Sequence, residues 1–145
     1  MQEELKTRDP VREFLESYWE LRKEHRRLER KIRELESQCQ SVTAKYSALP
    51  GGGGGNGNGA WDALVEARER AGAALTKTLY KEADIEQFIN CLPEQLHRML
   101  LKYRYLELLN WGTIAKKMNY SDRQLRRHHG DALQAARKLW KEQGR

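Results

Sequence analysis

The chain has 145 residues, one third of them charged, with 39% hydrophobic content and a mean hydropathy of −0.91. That is lean for one globular core and suits long helices with narrow apolar seams; no apolar run reaches spanning length, which excludes a helical membrane protein. Residues 93–145 hold 12 Lys and Arg against 5 Asp and Glu, a net +7, while residues 1–92 stand at −1. Such a local basic excess calls for a polyanionic partner, with nucleic acid ahead of an anionic membrane.

The first element opens at "DP", where Asp9 can cap and Pro10 suits a first helical turn. From there an apolar seam runs at alternating spacings of three and four: Val11, Phe14, Tyr18, Leu21, His25, Leu28, Ile32, Leu35, Cys39, Val42 and Tyr46. This is the heptad pattern of a helix packed along its length on another helix. His25 reads as a tolerated polar seam position. The alternating charges of "ELRKEHRRLERKIRELE" read as a solvated face. Cys39 and Cys91 are far apart, without a C-x-x-C, and fit reduced thiols in a cytoplasmic protein better than a disulfide framework or a zinc site. No signal-peptide pattern opens the sequence, which carries the same expectation of a cytoplasmic location.

Pro50 stops the helix, and residues 51–59 are only Gly and Asn, too costly in backbone entropy to stay helical. The run lacks the GK[ST] ending of a phosphate-binding loop, so nucleotide binding is not expected and no cofactor is implied. A turn is expected at 50–59. Trp61, Leu64, Val65, Ala71, Leu75, Leu79, Ile85, Phe88 and Ile89 then mark a second helix with small residues at its centre. At about 1.5 Å per residue both helices span roughly 45–55 Å, so an antiparallel hairpin would match in length. An intermolecular coiled coil is the competing arrangement, and both can hold at once in a homodimer built through the N-terminal helices.

A third helix begins near Pro93. Asn110 is placed to cap "WGTIAKKM", which is too short to stand alone. The turn Asn119-Tyr120 follows, and Ser121 with Gln124 forms a capping box for a last helix from Asp122 to about Trp140. Ala115, Asn119 and Leu125 supply the three things a DNA-binding helix-turn-helix needs: a small residue for close crossing, a residue tolerant of positive φ, and an aliphatic anchor. A helical wheel puts Leu125, His129, Ala132, Ala136 and Leu139 near the buried side, and Arg123, Arg127, Gly130 and Gln134 opposite.

The candidate base readers are therefore Asp122, Arg123, Gln124, Arg126 and Arg127, on the outward N-terminal turns, although Asp122 also suits the positive end of the helix dipole. Candidate phosphate contacts are Trp111, Lys116, Lys117, Ser121 and Arg137. Lys138, Lys141 and Arg145 read as solvated charges. His128 and His129 are adjacent on a helix and cannot share a metal ion, so packing or phosphate contact is expected of them. No Ser/His/Asp set, paired carboxylates or metal-ligand spacing stands out, and an enzyme is not expected.

These readings combine to an all-α fold, with a coiled-coil-like helical hairpin over residues 1–92 and a helix-turn-helix domain over 93–145. The last 45 or so residues resemble region 4 of bacterial sigma factors. The residues that carry the resemblance are Arg104-Tyr105, Ile114-Ala115, Ser121, Leu125, Ala132-Leu133 and Arg137, with Ala136 where the pattern usually has leucine. The whole layout, including Tyr46-Ser47 and Pro50-Gly51-Gly52, resembles small phage-encoded proteins of Gram-positive bacteria related to RinA- and ArpU-type late regulators. That resemblance implies activation of phage genes on double-stranded DNA, with RNA polymerase as a further partner. Nothing resembles sigma region 2. The alternatives are a DNA-packaging recognition subunit of small-terminase type and a structural coiled-coil adaptor.

Overall fold

Asp9 and Pro10 start the first helix as the sequence requires: the Asp9 carboxylate accepts the Val11 N–H at 3.2 Å and its carbonyl accepts the Glu13 N–H at 3.0 Å. In this computed structural model residues 8–47 and 58–145 are described, and among them the fold is all-α, without strands. The helices are α1 (Pro10–Ser47), α2 (Asn58–Asn90), α3 (Gln95–Leu101), α4 (Trp111–Met118) and α5 (Asp122–Glu142). α3 runs on into one π-helical turn, Lys102–Leu106. Most of the turn expected at 50–59 lies outside the described residues, as do the Val42 and Tyr46 side chains; α2 already begins at Asn58.

The chain divides into two compact units, one within Leu21–Thr78 and one joining residues before Leu21 to Leu79–Arg145. In the first, α1 and α2 pair as long helices. Leu28 and Cys39 of the α1 seam are buried, His25 is half-buried with Nδ1 3.7 Å from the Glu29 carboxylate, and Leu21, Ile32 and Leu35 are partly covered. On α2 the buried positions are Leu64, Ala67, Ala71 and Thr78, a stripe of mostly small side chains. The Thr78 hydroxyl is satisfied by its own helix, donating to the Ala74 carbonyl at 2.8 Å. Leu64 and Ala71 belong to the helical pattern read in the sequence; Trp61, Val65 and Leu75 of the same pattern face outward. Arg68 ties the pair together at 3.0 Å from Glu36.

The second unit holds the main core. Val11, Leu15 and Tyr18 of α1 and Ile85, Phe88, Ile89 and Leu92 from the end of α2 are buried with Leu100, Leu101, Tyr105, Ile114, Leu125 and Leu133. Phe14, Phe88 and Trp140 pack ring against ring, with centroids 5.2–5.7 Å apart. Leu15 lies off the three-four seam yet has 0% exposure, because at this end α1 is covered by more than one helix and needs a wider apolar face. Leu15→Ala should therefore destabilise the protein by about 2–5 kcal/mol in urea unfolding. A change below about 0.5 kcal/mol would show that α1 contributes nothing to this core.

Candidate nucleic-acid interface

α4 is short enough, and its connection to α5 tight enough, that local backbone chemistry fixes much of the turn's geometry. The Asn110 side chain accepts the Thr113 N–H at 2.8 Å and starts α4. Asn119 ends it in the left-handed region, φ 57° and ψ 45°, and the Tyr120 N–H returns to the Ala115 carbonyl at 3.0 Å. Ser121 then opens α5 through the expected reciprocal box: its hydroxyl accepts the Gln124 N–H at 3.2 Å, and its own N–H donates to Gln124 Oε1 at 3.0 Å. Ala115 and Leu125 are both buried between the helices, so the small residue, the positive-φ turn and the anchor take the places their spacing gave them. Ala136, where a leucine was the pattern, is fully buried as alanine.

The ten candidate contacts separate by what already holds them. Asp122, Arg123, Gln124, Arg126 and Arg127 are all exposed on the first turns of α5. Among the described residues none of the three arginines has an ion-pair or hydrogen-bond partner. Gln124 is partly engaged, its oxygen held by Ser121, which leaves its amide N–H groups to face outward. Asp122 sits in the first turn, where its charge favours the helix dipole. Ser121 is exposed, and Lys116 and Lys117 project from the last turn of α4, with the Lys117 ammonium 5.5 Å from the Tyr103 ring centre. Trp111 is half-buried under the Arg104 guanidinium, 4.6 Å from its ring. Arg137 stands apart: it is clamped by Asp9, with contacts of 2.7 and 2.8 Å.

Three features of the site carried no sequence signal. The first is the bond between Tyr105 Oη and His129 Nε2, 2.9 Å, which joins the π-helical turn to α5. His129 also packs edge-to-face with Trp111, ring centroids 4.6 Å apart, whereas His128 tilts against Tyr120 at 4.7 Å. The adjacent histidines thus have separate packing partners. The second is Leu108 at φ 57°, where a leucine costs roughly 1–2 kcal/mol. Arg104 steadies the turn after it by donating to the Leu109 carbonyl at 3.1 Å. The third is Arg145, expected to be merely solvated: it pairs with Asp84 at 2.9 Å and lies over the Phe14, Phe88 and Trp140 rings. Asp9–Arg137 and Asp84–Arg145 join residues 128 and 61 positions apart, a distance over which local pattern says nothing.

Burial pushes the His129 imidazole from its ordinary 6.5 down to about 4, and the neighbouring guanidiniums of Arg12, Arg104 and Arg137 push the same way. Burial likewise raises the Tyr105 phenol, so the pair is a neutral hydrogen bond at neutral pH. The unfolded chain binds a proton at His129 below about 6.5 while the folded chain does not. The stability contributed is complete above that value and is lost on acidification toward about 4. Thermal unfolding across that pH range should show a shallower decline for His129→Gln than for the parent; identical slopes would refute the assignment.

Gly130 lies on the exposed side of α5, and a Cβ there would meet nothing within 4 Å. Packing within the chain therefore gives no reason for glycine. Gly130→Ala should raise stability by about 0.5–1 kcal/mol in urea unfolding, and a loss would reveal a conformational demand at this position.

Among the described residues no group of three or more His, Cys, Asp or Glu could hold a metal ion, and no helix is long and apolar enough to cross a membrane. Comparison with known families, curated proteins and solved structures finds no match to this chain.

Proposed function

We propose that this protein is a sequence-specific double-stranded DNA-binding transcriptional regulator, acting by binding rather than catalysis, with α5 as its recognition helix. The observation that carries the reading is the state of Arg123, Arg126 and Arg127. They are exposed and without partners among the described residues, on a helix whose first turn is fixed by a complete capping box. Arginine presented this way can pair bidentately with guanine in the major groove. Lys116, Lys117 and the Ser121 turn lie at the adjoining end of α4, suited to the phosphate backbone, and Trp111 adds its indole edge. Gly130, which the chain's own packing does not require, would let a phosphate backbone or base edge come close to α5. Asp9 holds Arg137, so a phosphate contact there requires exchange of one anion for another.

The sigma region 4-like residues, the layout that resembles RinA- and ArpU-type regulators and the seam of α1 extend the proposal to a phage-encoded activator of late genes that works in the bacterial cytoplasm, contacts RNA polymerase and associates as a homodimer through its N-terminal helices. A packaging recognition subunit and a structural adaptor are the alternatives; the experiment below separates the adaptor, and coupling to an ATPase would mark the packaging subunit.

Selection of bound duplexes from a random-sequence DNA library by the full chain, followed by footprinting on the enriched site, tests the reading. A regulator enriches one short site, and its affinity falls steeply with salt. Binding that shows no salt dependence and no enrichment leaves the adaptor. On the enriched site, Arg127→Ala should cost about 1–3 kcal/mol and relax the preference at one position. Lys116→Ala should weaken specific and random duplexes alike and lower the salt slope by about one. Equal losses on both duplexes for Arg127→Ala would make that residue a phosphate contact.

A further inference from the structure

The helix pair within Leu21–Thr78 has two unlike faces. On one side of α2, Trp61, Val65 and Leu75 are 47%, 53% and 42% exposed, large apolar side chains at the spacing of a helical ridge. On the other side, α1 and α2 leave a groove of about 450 Å³. Leu21 and Leu28 lie on its α1 side and Ala63, Ala67, Ala73 and Ala74 on its α2 side. At 3.6 residues per turn, ridge and groove-lining positions of α2 lie roughly 180° apart, with the α1-facing stripe between them. The alanines are what leave the groove open, since longer side chains at those positions would fill it.

The charges differ in the same sense. Along the groove stand Arg27, Lys31, Arg70 and Lys77 against Glu24 and Glu66. Both of these carboxylates are taken, Glu24 by Arg27 at 2.6 Å and Glu66 by Arg70 at 2.7 Å, so the groove is left cationic by Lys31 and Lys77. Asp62 and Glu69, exposed carboxylates two helical turns apart, border the ridge on its side away from α1. Arg68, on the ridge itself, is neutralised by Glu36. An apolar ridge with an acidic border on one side thus backs onto an apolar-floored groove with basic walls.

We infer that the occupant of the groove is the ridge of a second copy of this chain, giving head-to-tail association of the helix pairs. Ridge against ridge would bring Asp62 and Glu69 to their own kind, and groove against groove would bring lysines together. Ridge into groove joins opposite signs and covers the three large apolar residues. Such a contact is heterologous: each copy keeps one face of each kind, so assembly continues to a closed ring or a filament. The inference keeps the proposed self-association through the N-terminal helices but replaces a two-fold dimer with a head-to-tail contact, and it is independent of what α5 binds.

Sedimentation of the full chain tests it. The parent should show mass above the monomer, rising with concentration. Val65→Lys/Leu75→Lys removes the ridge but keeps the groove; Ala63→Arg/Ala73→Arg blocks the groove but keeps the ridge. All four positions are at least partly exposed and receive good helix formers. Each double variant alone should be monomeric, and an equimolar mixture should reach the dimer mass and stop there, because only one native ridge and one native groove meet. A parent that stays monomeric overturns the inference, as does a groove variant that still dimerises alone or a mixture that fails to dimerise. Far-UV circular dichroism reports whether the variants keep their helices, and Leu75→Lys and Ala73→Arg as single changes give the same readings if a double variant unfolds.

Discussion

Ala132 and Ala136 have no exposed surface, and whatever holds α5 in place must approach to the distance that a methyl side chain permits. That closeness is the condition on which the C-terminal unit rests. α3 and α4 have seven and eight residues, far below the length at which a helix is stable alone in water. They persist because Leu100, Leu101, Ile114 and Ala115 are buried in the same core as Leu125 and Leu133 of α5. That core in turn draws on the first turns of α1 and the last turns of α2, which supply Leu15, Tyr18, Phe88 and Ile89. Ala136, alanine where the resembled pattern usually has leucine, has no exposed surface.

Polar contacts then set orientation where apolar burial cannot. Tyr105 to His129 and Asp9 to Arg137 each join α5 to a different part of the unit, and both are specific in direction. Around them the basic side chains divide into two populations. Arg104, Arg137 and Arg145 are committed to a carbonyl, carboxylates and aromatic rings within the chain. Arg123, Arg126 and Arg127 have no such commitment among the described residues. The net charge of the segment treats these groups alike, yet only the second set is available without breaking something first.

Local chemistry was legible in the sequence wherever the cause is local. Ser121 and Gln124 are three residues apart and satisfy each other's neighbourhood; Asn119 tolerates positive φ; Asn110 caps the helix that follows it. The exposed base-reading candidates followed from the wheel once Leu125 was taken as the anchor. On α2 the apolar pattern marked the helix without separating its covered face from its exposed one. Trp61, Val65 and Leu75 stay exposed, whereas α1 packs against Leu64, Ala67 and Ala71, because small side chains permit a closer approach of two helices. Hydrophobicity alone does not distinguish a stripe that is covered from one that is left over.

The sequence by itself thus determined the helices, their caps, the turn between α4 and α5, and the outward arginines, since each depends on residues within about four positions of one another. The tertiary structure decided which long-range partners those helices take. That includes the wider buried face of α1 at Leu15, the left-handed Leu108 beside a π-helical turn, and the pairing of Arg137 with Asp9. Those outcomes depend on which surfaces meet after the chain has folded back on itself, and contact across 128 residues leaves no periodic trace in the order of the amino acids.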